Sequence, residues 1–282
     1  MINNNNNLLI DLALQEDGVY NDITTTWFVP ESKKISAVLI SNSSGILCGV
    51  DYVTRIFNTL DSKCEISFII NDGVKINKGD EILKVIGSRS LLSGERVALN
   101  ILQYMSGIAT LTNRFIEIIN NNNIKVYDTR KILPLYRNIA KYAVRCGGGE
   151  NHRFGLNDMV LIKDNHLKFI DDLYKKVNMF RKKFKDVTIE IECENTNQVK
   201  QALKAQADVI MLDNVEFIKT SNMINIIRNH SLKNYNPKIE ISGGVNLDNV
   251  KNISQLDIDR ISIGMITHSV TALDFTLEII KT

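Results

Sequence analysis

VTIEIECENTNQVKQALKAQADVIMLDN, residues 187–214, is the stretch on which the fold turns. Its first seven residues are mostly β-branched and apolar, with glutamates at alternate places, which is a strand pattern. Residues 195–206 bring apolar side chains round at helical spacing, and 208–212, DVIML, return to a short buried run. Strand, helix and strand in that order make a crossover unit with two parallel strands.

The same rhythm extends in both directions. Further β-branched runs are IKVYD (124–128), MVLIK (159–163), KIEIS (238–242) and RISIG (260–264), with helix-period segments at 166–184, 214–229 and 246–255. A parallel strand is covered on both faces, which accounts for near-continuous apolar runs. Six such runs fall short of a complete eight-stranded barrel, so residues 108–269 are expected to form an open α/β barrel domain.

Polar residues collect where these runs end. Asp128, Thr129, Arg130 and Lys131 follow the first, and Lys163 to His166 the second. Glu192 closes the third and Asp213 the fourth. Ser242, Gly243 and Gly244 close the fifth, and Gly264 the sixth. The C-terminal strand ends of such a barrel share one rim, where active sites lie.

Between 128 and 166 the chain concentrates Arg130, Lys131, Arg137, Lys141, Arg145, Arg153 and Lys163, with His152 and a Gly147-Gly148-Gly149 run, although the net charge of the whole chain is only +2. Gathered cations call for an anion, and the arginine fork suits carboxylate and phosphate. The alternative is a solvated basic face, which is the expectation for Lys141 and Arg145, four apart on a predicted helix. Glu192 and Asp213 fit a Mg²⁺ site shared with substrate phosphates, or serve as partners of rim lysines and arginines. A one-residue slip would exchange Glu192 for its alternating neighbours Glu190 and Glu194. The Gly243-Gly244 pair and Gly264 fit a backbone phosphate cradle on the last two loops, or tight turns alone. His166 is expected to fix the start of a helix or loop.

Residues 1–107 read differently, as a mixed α/β domain. NLLIDLALQEDG is a short amphipathic helix, and ISAVLISNSSGILCGV is two strands about a Ser-Ser-Gly turn. DYVTRIFNTL is helical, CEISFIINDGVKINKGDEILKVIGS is β-like, and a helical pattern spans 90–119 with Gly107 interrupting it at the domain junction. At 44% hydrophobic and 23% charged residues the composition is that of an ordinary globular chain. The near-neutral charge argues against bulk nucleic-acid binding. No run approaches the ~18 apolar residues of a membrane span, and the N-terminus lacks signal-peptide character. Cys48, Cys64, Cys146 and Cys193 show no CxxC spacing and are expected to be reduced thiols of a cytoplasmic protein.

Taken together, several stretches resemble the quinolinate phosphoribosyltransferase family. They are EDGVYNDITTTWFVP, LLSGERVALNILQYMSGIATLT, DTRKILPLYRNIAKYAVRCGGGENHRFGLNDMVLIKDNH, IEIECEN, DVIMLDN, IEISGGVN and ISIGMITHSVTALDFTLEI. The resemblance covers nearly the whole chain. It implies an N-terminal α/β sandwich beside the open barrel, with a C-terminal helix near 270–282 returning to the first part. It implies a homodimer in which Arg96 reaches the partner's site. The implied reaction joins quinolinate and phosphoribosyl pyrophosphate into nicotinate mononucleotide, CO₂ and pyrophosphate, with Mg²⁺. By similarity Arg130, His152, Arg153 and Lys163, with Arg96, surround the dicarboxylate, and Thr129 and Lys131 lie in the same shell. Lys163, Glu192 and Asp213 carry the chemistry, the last two facing the ribose and its metal. Ser242, Gly243, Gly244 and Gly264, with His268, take the 5′-phosphate. The chain departs from the family pattern at Ile132, at Leu135-Tyr136 and in GMITHS, and none of these changes removes a charge. Rival readings are a molybdate-transport-associated paralogue acting on another base, a nicotinate phosphoribosyltransferase, a barrel aldolase using Lys163 as a Schiff base, and a phosphate-ligand sensor.

Overall fold

The chain opens with α1 (Ile2–Glu16), a single 3-10 turn (Val19–Asn21) and α2 (Ile23–Phe28). Asp22 caps α2 by accepting the Thr25 N–H at 3.0 Å. Hydrogen bonds from Thr25, then Ser93, hold its carboxyl down at about 2. There follow β1 (Lys34–Ser41), β2 (Gly45–Ile46), α3 (Val50–Leu60), β3 (Glu65–Phe68), β4 (Lys75–Ile76), β5 (Glu81–Ser88) and α4 (Ser90–Ile119). Then come β6 (Lys125–Tyr127), α5 (Arg137–Cys146), β7 (Val160–Ile162), α6 (Asp164–Leu167), α7 (Leu173–Lys183), β8 (Ile189–Cys193) and α8 (Thr196–Lys204). The chain closes with β9 (Val209–Asp213), α9 (Phe217–Arg228), β10 (Lys238–Ser242), α10 (Val250–Ile253), β11 (Arg260–Ser262), α11 (Met265–His268) and β12 (Phe275–Ile280). This computed structural model describes residues 2–214, 216–230 and 235–280.

Two compact units emerge, and neither is one continuous stretch. The first joins Met1–Arg114, Ile132–Gly148 and Ile266–Thr282, and the second joins Phe115–Lys131 and Gly149–Met265. In the first, β12, β1, β5 and β3 form a four-stranded sheet in that order, with all three pairings antiparallel. β2 leaves this sheet and pairs with β4 in a separate ribbon, so the two strands expected about Ser43-Ser44-Gly45 are not a hairpin. The helix expected near 270–282 is also corrected. Residues 275–280 are a strand running from Phe275 beside Ser41 to Ile280 beside Ser36, and 281–282 lie outside the described residues. Phe275 and Leu277 are buried with Thr276 half-exposed between them, so the short apolar run is read with period two once β1 offers an edge to pair with.

Gly107 does not interrupt α4, which runs unbroken for 30 residues. A Cβ at 107 would lie 2.5 Å from the Thr271 carbonyl oxygen and 2.7 Å from Val270 Cγ1. The glycine is there to let the 270–272 backbone cross the helix closely. Lys141, expected on a solvated face of α5, is only 1% exposed, while Arg145 is exposed. All four cysteines are free thiols. Cys48 and Cys146 gather with Asp72, but both Asp72 oxygens are spent. One accepts the Gly49 and Val50 N–H groups at the start of α3, the other the Tyr142 hydroxyl.

The second unit holds the six predicted parallel strands in the order β6-β11-β10-β9-β8-β7. β6 and β7 follow one another in sequence yet do not pair, so the barrel is open between them. Part of that gap is met by residue 150, which bridges to Tyr127. The helix expected over 166–184 is two helices, because Asp172 caps a fresh start by accepting the Lys175 N–H. Only 250–253 of the segment 246–255 is helical. Asn246 and Asn249 hydrogen-bond each other's backbone and hold the residues before it as a turn.

Candidate active site

The alternation along β8 decides which carboxylates face inward. All five of its residues are buried, with Ile189, Ile191 and Cys193 on one face and Glu190 and Glu192 on the other, while Glu194 is exposed. Register therefore does not choose between Glu190 and Glu192. Both lie on one face, at different heights.

At the upper level Lys163 Nζ donates to Glu192 Oε2 at 2.6 Å. Lys163 is held by its own backbone, since its N–H donates to His166 Nδ1 at 2.9 Å, and His166 starts α6 as expected. On β9, Asp213 Oδ2 accepts from Asn214 Nδ2 at 2.7 Å. The second oxygens of Glu192 and Asp213 have no hydrogen-bond donor among the described residues. Next to them Ser242 leads into Gly243 (φ +84°) and Gly244 (φ +61°). A Cβ on Gly243 would lie 2.3 Å from Asn214 Oδ1, so both backbone angle and space demand glycine there. Asn249 Nδ2 donates to the Gly244 carbonyl at 2.9 Å and fixes the turn. Gly264 sits just past β11.

Beside this rim, the loop from 149 to 153 is built on Asp128. That buried carboxylate accepts the His152 N–H at 3.0 Å and the Asn151 side-chain amide at 2.6 Å. Backbone bonds join Glu150 to Val126 and Asp128 to Glu150. The loop places Arg153 at 9% exposure. Neither Arg153 nor Arg130 has a carboxylate partner among the described residues, and the buried Nε of Arg130 has no hydrogen bond. Burial, then the charge of Arg130, pulls the Arg153 pKa below its ordinary value. Two neighbouring guanidinium groups, partly dried and without a carboxylate partner among the described residues, have the chemistry to attract an anion. Thr129 Oγ1 accepts the Lys131 N–H at 3.1 Å and turns the chain there, leaving Lys131 exposed.

The long basic stretch is thus divided. Arg130, Lys131, His152, Arg153 and Lys163 belong to the barrel unit, whereas Arg137, Lys141 and Arg145 belong to the first unit. Arg96, exposed on α4, and His268, exposed at the end of α11, are also in the first unit.

Below the rim lies a buried ionic layer that the motifs did not single out. His152 Nε2 is 3.1 Å from Glu190 Oε2 and 3.5 Å from Glu240 Oε1. Arg260 Nε is 2.6 Å from Glu240 Oε2, too far out of line for a hydrogen bond, and its Nη2 is 3.4 Å from Glu190. Ser262 Oγ donates to Glu240 at 2.5 Å, and Tyr127, under the Arg260 guanidinium, donates to Glu150 at 2.6 Å. Burial, then the charge of Glu240, pushes Glu190 up. Burial works against the charged form of His152, and its bonds and attraction to Glu190 and Glu240 outweigh it, lifting the pKa to about 9. The Arg153 N–H, donating to His152 Nδ1 at 2.8 Å, requires a lone pair there and pulls the other way. The signal available in the sequence was the period-two placing of Glu190, Glu240 and Arg260 among isoleucines.

The fold is an open-barrel α/β enzyme fold, with cations and carboxylates gathered at the strand ends. The profile described as quinolinate phosphoribosyl transferase, C-terminal domain, matches residues 108–278, and that of the N-terminal domain matches 22–106. The chain is 38% identical to the probable nicotinate-nucleotide pyrophosphorylase (carboxylating) of Methanocaldococcus jannaschii over 97% of this chain and 96% of that one. Its counterpart in Bacillus subtilis is 36% identical over 96% and 92%. The solved structure of the nicotinate-nucleotide pyrophosphorylase from Francisella tularensis superposes with a TM-score of 0.91 at 34% identity, covering 98% of this chain and 96% of that one. The chain belongs to the quinolinate phosphoribosyltransferase family.

Proposed function

We propose that this protein transfers phosphoribosyl from phosphoribosyl pyrophosphate to quinolinate with loss of CO₂, giving nicotinate mononucleotide and pyrophosphate for NAD synthesis. The observation that carries this reading is the Arg130–Arg153 pair, partly dried and without a carboxylate partner among the described residues. It supports a ligand with adjacent carboxylates, and the related proteins' names supply the acid. Lys163, tied to Glu192, completes the positive wall, with His152 and Thr129 beneath it and Lys131 facing the phosphates. Arg96 would come from a second copy of the chain. Ser242, Gly243, Gly244 and Gly264 would receive the 5′-phosphate.

Among the described residues no donor reaches the second oxygen of Glu192 or of Asp213, and two such carboxylates beside substrate phosphates fit Mg²⁺. When bound, the ion would neutralise the charge of the departing pyrophosphate. As the C1–O bond to pyrophosphate breaks, the ribose carbon gains oxocarbenium character, as in glycoside hydrolysis. Carboxylates fixed beside it stabilise that charge with no reorganisation. The pyridine nitrogen of quinolinate attacks C1 and becomes a pyridinium. The bond from C2 to its carboxylate then breaks, leaving its electron pair on C2 beside the cationic nitrogen, and C2 takes up a proton. The cationic wall's share is to hold the acid in line with C1.

The aldolase alternative is disfavoured, because Lys163 donates to Glu192 and a Schiff base needs a free, neutral amine. Purified protein supplied with quinolinate, phosphoribosyl pyrophosphate and Mg²⁺ should form nicotinate mononucleotide and an equal amount of CO₂, and nicotinate run in parallel should give no product. Product from nicotinate, or from neither acid, would move the function to a paralogue acting on another base.

A further inference from the structure

Among the described residues Arg153 makes no ion pair, although two buried glutamates lie in the barrel unit with it. Glu190 and Glu240 are both 0% exposed, and Glu190 is close enough to act on Arg153 electrostatically. A carboxylate so near an arginine ordinarily pairs with it. Here both are already engaged. Arg260 reaches Glu240 Oε2 at 2.6 Å and Glu190 Oε2 at 3.4 Å, and His152 Nε2 lies 3.1 Å from that same Glu190 oxygen and 3.4 Å from its Oε1. The two carboxylates face the Arg260 guanidinium and the His152 ring, so the layer holds its own cationic partners, and among the described residues Arg153 makes no ion pair with it.

We propose that Arg260 is a positioning residue for the dicarboxylate substrate: as internal counter-cation of Glu190 and Glu240, it keeps Arg153 and Arg130 available to the ligand. Its guanidinium lies 5.0 Å over the Tyr127 ring and is mostly buried, so it touches the acid only through the charges it balances. His152 has the same character. Nε2 faces the carboxylates and Nδ1 accepts the Arg153 N–H, so the ring sets the Arg153 backbone and has no nitrogen left for substrate. The inference rests on the proposed dicarboxylate substrate.

The test is equilibrium binding of benzene-1,2-dicarboxylate, an unreactive analogue of quinolinate, by calorimetry, with steady-state turnover alongside. Arg260→Met, which keeps length and loses charge, should raise the Kd for the diacid by about tenfold, the effect of one uncompensated neighbouring charge. The KM for phosphoribosyl pyrophosphate should stay within about twofold. The double variant Arg260→Met, Glu240→Gln removes one charge of each sign without restoring any contact of Arg260, and should return the Kd to within about threefold of wild type. A double variant no better than the single one, or equal losses for both substrates, would overturn the inference and leave Arg260 a packing residue. Diacid binding that follows this pattern without turnover would remove the proposed reaction alone. A wild-type protein that binds no aromatic diacid would remove both.

Discussion

Arg153 shows how much a single side chain depends on what is withheld from it. It is 9% exposed, its neighbour Arg130 repels it, and no carboxylate among the described residues pairs with it. Replacing it with alanine should reduce kcat/KM for quinolinate by roughly 1.5–3 kcal/mol, the range of a charged hydrogen bond, and Arg153→Lys should recover little because the fork is lost. A quinolinate response near wild type in Arg153→Ala would remove the dicarboxylate assignment. The cations and Glu192 were legible in the sequence as residues at strand ends. The Lys163–Glu192 bond was present only as one of two readings, a rim cation partnered by the glutamate, because the sequence does not say which rim cation each carboxylate meets. Glu240 and Arg260 were passed over for the same reason. An isolated charge among isoleucines has no meaning until its partner on the next strand is known.

At the scale of elements, turns and caps carry the argument. Gly243 combines φ +84° with a Cβ position 2.3 Å from Asn214 Oδ1. Gly243→Ala should therefore strain the turn, raise the KM for phosphoribosyl pyrophosphate more than that for quinolinate, and lower the thermal midpoint; equal KM values would mean the turn does not serve the phosphate. The α2 cap makes a pH prediction. Asp22 titrates near 2 in the fold, below its ordinary 3.8, so its contribution is full above the unfolded value and is lost as pH falls through about 2. Asp22→Asn keeps an acceptor for Thr25 and should flatten the fall of thermal midpoint between about pH 4 and 2. An unchanged slope would show that the cap contributes nothing to acid stability. Helix and strand types were mostly legible here because period and turn residues are local. Gly107 was misread because a glycine that admits a crossing backbone looks, in sequence, like one that breaks a helix.

For the molecule as a whole, the expected dimer gives the sharpest test. Arg96→Ala and Lys163→Ala should each be inactive alone, and mixing them should restore part of the activity if Arg96 serves a second copy's barrel. No recovery after proven subunit exchange would count against a shared site. No described helix is long and apolar enough to cross a membrane. The alternation of strand and helix from 124 onward was enough to define six parallel strands with their polar residues on one rim. Side-chain period is local, and parallel topology puts every C-terminal strand end on the same side. Three things needed the folded chain. Residues 275–280 became a strand because β1 had an open edge. Residues 132–148 joined the first unit and buried Lys141. Glu190, Glu240, His152 and Arg260 met as one buried ionic layer. Each depends on a partner distant in sequence, and only packing brings such partners together.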